Sequence, residues 1–359
     1  MSKKIIVPQE FKGLVDELLQ INTDYSEAFL RQSHELHKYR EKHPTKMLVF
    51  KCADGRIVFS RFCKTKVGYL RNFRNIGGKF NMGWLTFEKG FREIVEANHY
   101  CGCGGCLAII TYHYSKGDSL RGCAGYKFDK KKSIEGAIGF RGQMEKAYKG
   151  LPFQLYPIVI GIETDEEALI LHNNHGVKVY LSKMPSNITE EEMHAYLVNF
   201  FSDMPEQMRY DLLPMLMGNI QHIAEIREEN RPIVELNHKE WILGVGGGCA
   251  FDFLHVPNAA LIAGQYNPSL EKVIRQAFGV INDHWHEGKK FLTLSAVSYG
   301  LGIHEPQVKM VVNYYDRKIW ETGEEFYPHL LPHMYQVRGL VDIETQKMKI
   351  IGGQRMRST

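Results

Sequence analysis

In the stretch MLVFKCADGRIVFSRF, residues 47–62, Cys52, Asp54 and Arg56 fall at alternate positions straight after an apolar, strand-like run. Side chains two apart on an extended chain share a face. A thiol, a carboxylate and a guanidinium would therefore project together from one mouth of a sheet. A thiolate there can hold a soft metal ion, and a carboxylate with a guanidinium forms a strong forked pair. Partners of matching type lie downstream. The strand-like LAIITYHY delivers His113 at its carboxyl end, and SLRGCAG returns Cys123 ten residues later. Two thiolates and one imidazole suit zinc and leave one tetrahedral position open for water, and open α/β sheets form their sites beyond the carboxyl ends of strands. Cys52, His113 and Cys123 are therefore the preferred zinc ligands, with Asp54 and Arg56 beside them.

Other segments compete for the same chemistry. HYCGCGGC, residues 99–106, offers His99, Cys101, Cys103 and Cys106, either as ligands joining Cys52 or as a crowded redox group. It falls in a helix-to-strand connection rather than after a strand. Seven cysteines without a small-scaffold spacing suggest thiols that are buried, metal-bound or catalytic rather than bridged, as in a reducing compartment. GVGGGCAFD, residues 244–252, is glycine-rich enough for a dinucleotide or S-adenosylmethionine loop, yet the AFDFLHVP that follows reads as extended, where such a loop needs a helix. His284 and His286, in DHWHEG, read as solvated groups on a polar helix end.

The elements that would carry these residues alternate between strand and helix. Residues 10–43 have helical periodicity and stop before Pro44, a strand is expected around 46–51, and a second around 56–62. A helical segment TFEKGFREIVEAN, the strand CLAIITYHY, a helix at 132–148 and the strand pair in PIVIGIETDEEALIL follow. At NITEEEM the pattern restarts with a capping box of Thr189 and Glu192 and a long helical region to about residue 229. The same order then recurs: EWILGVGGGCAFDF answers KMLVFKCADGRIVF, AGQYNPSL answers RNFRNIGG, a helix is expected at about 269–287, and FLTLSAVSYG answers LAIITYHYSKG. The expectation is an α/β protein of two fused units, each a mainly parallel sheet flanked by helices with an N-terminal helical arm, spanning 1–185 and 186–359. At the positions of Cys52, Asp54 and Arg56 the second copy has Gly246, Gly248 and Ala250. The strand pattern survives there without the reactive side chains.

The net charge of +4 over 359 residues is small, and the basic residues are interspersed with acids, which argues against a nucleic-acid partner. No stretch approaches the roughly 18 apolar residues of a membrane span, and the opening MSKKIIVPQEFKG lacks a signal-peptide core. A cytoplasmic protein is expected.

As a set, these motifs resemble the β-class carbonic anhydrases: CADGR is similar to that family's Cys-x-Asp-x-Arg, RNIGG to its Arg-Asn-Ala-Gly segment, and VRGLVDIETQKMKI to its last strand pair. Where the family usually has His-x-x-Cys, His113 and Cys123 are ten apart, a spacing that resembles the divergent carboxysome-shell branch, which also pairs an active with a degenerate repeat. Gly55 stands where a small residue, commonly Ser, precedes the arginine, a change expected to matter little. The resemblance implies zinc on Cys52, His113 and Cys123, reversible hydration of carbon dioxide to bicarbonate by zinc-bound hydroxide, Asp54 orienting that hydroxide, and Arg56 keeping Asp54 off the metal. It also implies an internal pseudo-dimer able to associate further, and a bacterial microcompartment as an alternative location. A related carbon disulfide or carbonyl sulfide hydrolase would share the metal set. A silent zinc-stabilised scaffold or a bicarbonate/CO2 sensor is the alternative outside catalysis.

Overall fold

The computed structural model describes residues 6–229, 237–247, 249–286, 288–300, 302 and 304–354. Two sheets form the framework. The first runs in the order β2-β1-β3-β4-β5-β6, from β1 (Lys46–Cys52), β2 (Arg71–Asn75), β3 (Cys106–Tyr114), β4 (Leu155–Glu163), β5 (Ala168–His172) and β6 (Lys178–Tyr180). The second runs β11-β10-β9-β7-β8, from β7 (Ile242–Gly247), β8 (Ala260–Gly264), β9 (Phe291–Tyr299), β10 (Met334–Asp342) and β11 (Met348–Gln354). In each sheet four neighbouring strands are parallel and the next is antiparallel. Helices α3 (Leu85–Tyr100) and α4 (Lys130–Tyr148) flank the first sheet, and α7 (Leu270–His284) and α8 (Glu305–Phe326) the second. The chain is thus α/β with two mainly parallel, helix-flanked sheets. The near-continuous burial of β1 and β3 is what a parallel strand covered on both faces requires. No helix among the described residues is long and apolar enough to cross a membrane.

The helical arms exchange sheets. Helix α1 (Gln9–Lys42) sets Phe11, Val15 and Leu18 against Ile242, Leu292 and Tyr335 of the second sheet. Asn22 holds the turn before β11 by donating to the Gln346 carbonyl at 2.9 Å and accepting from the Met348 amide at 2.8 Å. Helices α5 (Glu190–Phe200) and α6 (Glu206–Glu229) place Met193, Leu197, Leu212 and Leu216 on Val49, Ile109 and Leu171 of the first. Each half therefore completes the other's core. The capping box at Thr189 and Glu192 is present at the start of α5.

One strand is displaced from its expected place. Residues 56–62 form a tight turn and the short helix α2 (Phe59–Phe62), with Ile57, Val58, Phe59 and Phe62 all buried in the first core. A short apolar run buried on every side reads the same in either conformation. The second strand is the polar RNFRN, whose Arg74 donates to the carbonyls of Leu254 and Ala260 across the seam between halves. The seam also carries bonds from the Asn258 amide to the Gly55 carbonyl at 3.0 Å and from the Ile262 amide to the Ala53 carbonyl at 3.2 Å. The second half therefore clasps the turn that holds Asp54.

Candidate metal centre

Cys52 is the last residue of β1, His113 the penultimate residue of β3, and Cys123 follows in the loop beyond β3. Strands β1 and β3 are adjacent and parallel, so both end at the same mouth. The three side chains meet there, buried, with one ligand atom from each lying within 4.8 Å of the others. The two sulfurs are 4.0 Å apart. His113 is 3 % exposed, yet neither ring nitrogen has a hydrogen-bond partner. Leaving such a group unsatisfied costs about 1–3 kcal/mol. A cation bound by one imidazole nitrogen and both sulfurs removes the cost at that nitrogen, and a soft donor set of this kind suits zinc. The Cys123 sulfur and then His113 hold the Cys52 thiol well below its ordinary pKa, while Cys52 and burial push Cys123 well above its own. Binding of a cation to both sulfurs releases the protons they carry.

Asp54 lies beside this group, gripped by Arg56. The guanidinium donates to Oδ1 at 3.0 Å through Nε and to Oδ2 at 2.6 Å through Nη2, and the Arg56 amide adds 2.9 Å to Oδ1. Burial opposes the Asp54 charge, but Arg56 and then His238 outweigh it and hold the carboxyl well below its usual range. Its Oδ2 is 3.8 Å from His113 Nε2. All five expected residues are thus in one place.

Two residues that sequence reasoning did not single out complete the surroundings, and both come from the second half. His238 Nε2 is 3.8 Å from Asp54 Oδ2. Its Nδ1 is 3.0 Å from the carboxylate of Glu240, which also accepts from the Gly55 amide at 3.0 Å. Burial lowers the His238 pKa, but Asp54 and Glu240 more than reverse this, and the ring titrates above its ordinary range. Gly55 matters more than expected. A Cβ there would lie 2.8 Å from Glu240 Cγ and 3.0 Å from the Ala260 carbonyl, so a serine would displace the carboxylate that orients His238. His284 is not a solvated residue either: its ring stacks on His238 with centroids 5.7 Å apart, and it lies 3.8 Å from Glu240. His286 is exposed, as expected. His238 and His284 both line a cleft of about 590 Å³. The imidazole of His238 stands between that cleft and Asp54.

The competing segments are elsewhere or differently built. Cys101 and Cys103 are joined by a disulfide, contrary to the expectation of unbridged thiols, and Cys106 is buried at the start of β3 with its thiol pushed up to about 12 by burial. Cys106 pairs in register with Lys46 at the other end of β1. At ~3.3 Å per residue, the loop lies about 20 Å from Cys52 and cannot supply a ligand to the same site. Beyond β7 the chain makes a turn and the short helix Asp252–Leu254, and no long helix starts there to receive a phosphate. Gly246, the sequence counterpart of Cys52, has φ 151°, and a Cβ on it would fall 1.9 Å from the Ala296 carbonyl. No thiol fits at that position. Gly248, the counterpart of Asp54, lies outside the described residues.

No protein-family model matches this chain. No curated protein matches it significantly.

Proposed function

We propose that the protein is a zinc-dependent carbonic anhydrase that interconverts carbon dioxide and bicarbonate, with its site at the mouth of the first sheet. The observation that carries this reading is His113: a buried imidazole with both nitrogens unsatisfied, set against two buried cysteines and beside an Arg56-gripped carboxylate. Zinc held by two thiolates and an imidazole supplies a water acidified toward a pKa of about 7, the nucleophile that hydration of carbon dioxide needs near neutrality. Asp54 accepts a hydrogen bond from that water, and the Arg56 fork fixes the direction of the carboxylate. His238, oriented through Nδ1 by Glu240, takes the released proton at Nε2. The proton leaves past His284 into the cleft. In this reading the second half has no metal of its own but furnishes the proton path of the first. The test is metal analysis of the purified chain with stopped-flow CO2 hydration. One zinc per chain and rapid hydration are expected, and a zinc-loaded chain that hydrates carbonyl sulfide but not CO2 would replace this substrate with that of the related hydrolases.

The proton path has its own expected result. Proton transfer by a positioned side chain contributes about 10²–10⁴-fold, so His238→Ala should lower kcat by about 10²-fold. Because the proton departs after the carbon step, kcat/KM for CO2 should change much less, and imidazole buffer should restore turnover. An equal fall in kcat and kcat/KM, indifferent to buffer, would show that His238 only supports the fold of the seam.

A further inference from the structure

At the opposite end of β1 from Cys52 lies a second cleft, of about 530 Å³, whose walls include Arg40, Lys46, Tyr69 and Arg71. Among the described residues no aspartate or glutamate lines it. The nearest carboxylates are engaged or outnumbered. Asp211 accepts from the Thr45 amide at 2.8 Å and lies 3.1 Å from His43 Nδ1. Asp252, pushed up to about 6 by burial, faces Arg71, Arg74, Lys51 and Lys46 together. Lys46 has neither a carboxylate nor a hydrogen-bond partner for its amine among the described residues. Burial, then Arg40 and Arg71, lower its pKa to about 8. Arg40 donates to the Gly68 carbonyl at 2.6 Å, a neutral acceptor that leaves its charge unbalanced. The Tyr69 hydroxyl is buried with no hydrogen-bond partner. Arg71 is already held charged by Asp252 and bonds the Cys249 sulfur, but Lys46 and Arg40, like charges beside an unused donor with little negative charge on the protein to offset them, make a site whose missing component is an anion.

We propose that this cleft binds a small oxyanion of the phosphate class, with Lys46 and Arg40 as its charged contacts and the Tyr69 hydroxyl as its neutral donor. Planar guanidiniums suit phosphate oxygens, and a lysine adds a point charge. The volume leaves room for a phosphate carried on a small metabolite, whose minimal probe is inorganic phosphate. The site does not depend on the metal centre, some 20 Å away along β1 by the rise of a strand, so its fate is separable from the zinc reading.

The experiment is competitive labelling of the whole protein with an amine-directed reagent at pH 8, read lysine by lysine by mass spectrometry, with and without phosphate at constant ionic strength. Lys46, partly deprotonated at this pH, should label measurably. At phosphate tenfold above its Kd its labelling should fall about tenfold, the factor 1 + [L]/Kd, while other lysines are unchanged. Phosphate should also raise Tm saturably in the wild-type chain and fail to do so in Lys46→Met, whose zinc content should stay the same. Labelling of Lys46 that ignores phosphate, or a rise in Tm that chloride matches or that survives in Lys46→Met, would overturn the proposal. Should Lys46→Met not fold, the wild-type labelling decides alone.

Discussion

Cys123→Ser should yield a folded protein that has lost its zinc and its CO2 hydration together. The side chain is 4 % exposed, and its sulfur lies 4.0 Å from that of Cys52 with His113 alongside. Serine nearly preserves the volume but offers a neutral hydroxyl where the metal needs a thiolate, and the two donors left are too few for a tight tetrahedral site. The core beneath, built on Leu48, Phe50 and Ile110, is untouched, so far-UV circular dichroism should be unchanged. Cys101→Ser and Cys103→Ser make the control. Each breaks the disulfide at the far end of β1, and each should keep both zinc and activity. Metal analysis beside stopped-flow hydration reads all three variants. Full zinc in Cys123→Ser would remove Cys123 from the ligand set.

The separate visibility of these residues in the sequence has a physical basis. Cys52, Asp54 and Arg56 are close in the chain, and the period of a strand alone puts them on one mouth. His113 and Cys123 followed from the rule that parallel strands end together, which the pairing of β1 with β3 satisfies. His238 and Glu240 had no comparable signal. They sit 184 and 186 residues from Asp54, just ahead of an ordinary apolar strand, and only the packing of one half on the other brings them in. A hint was present in Gly55, since a residue without a side chain beside a reactive aspartate leaves room for something else, here Glu240. The arms were legible as helices but not as exchanged ones, because an apolar stripe specifies that a sheet will be covered, not which. RNFRN was missed for a related reason. Its buried Asn72, Arg74 and Asn75 give no apolar alternation, and Arg74 is tolerated in the interior because carbonyls of the other half accept its protons.

Arg56→Lys should retain zinc while losing most of its activity. Arg56 does not touch the metal position: it holds Asp54 through two guanidinium bonds and one backbone bond, and its Nη2 also donates to the Arg121 carbonyl at 3.0 Å. Lysine keeps a positive charge beside the carboxylate but cannot reproduce the planar fork. Asp54 Oδ2 is already 3.8 Å from His113 Nε2, so a carboxylate released from the fork is free to turn toward the ligand group and occupy the place of the reacting water. Zinc then gains a ligand rather than losing one. Changes to groups that orient a metal site typically cost 10–100-fold, and a fall of about that size in kcat/KM is expected with zinc content unaltered. Arg56→Ala should lose activity further, because the support of the Arg121 carbonyl, two residues before Cys123, goes as well. Asp54→Asn separates the two effects: an amide is a poor competitor for the metal, so adding it to Arg56→Lys should not tighten zinc binding, whereas Asp54 intact should. If Arg56→Lys instead sheds its zinc as Cys123→Ser does, the Asp54–Arg56 pair is a structural brace for the ligand loop and not the gate that sets the site's activity.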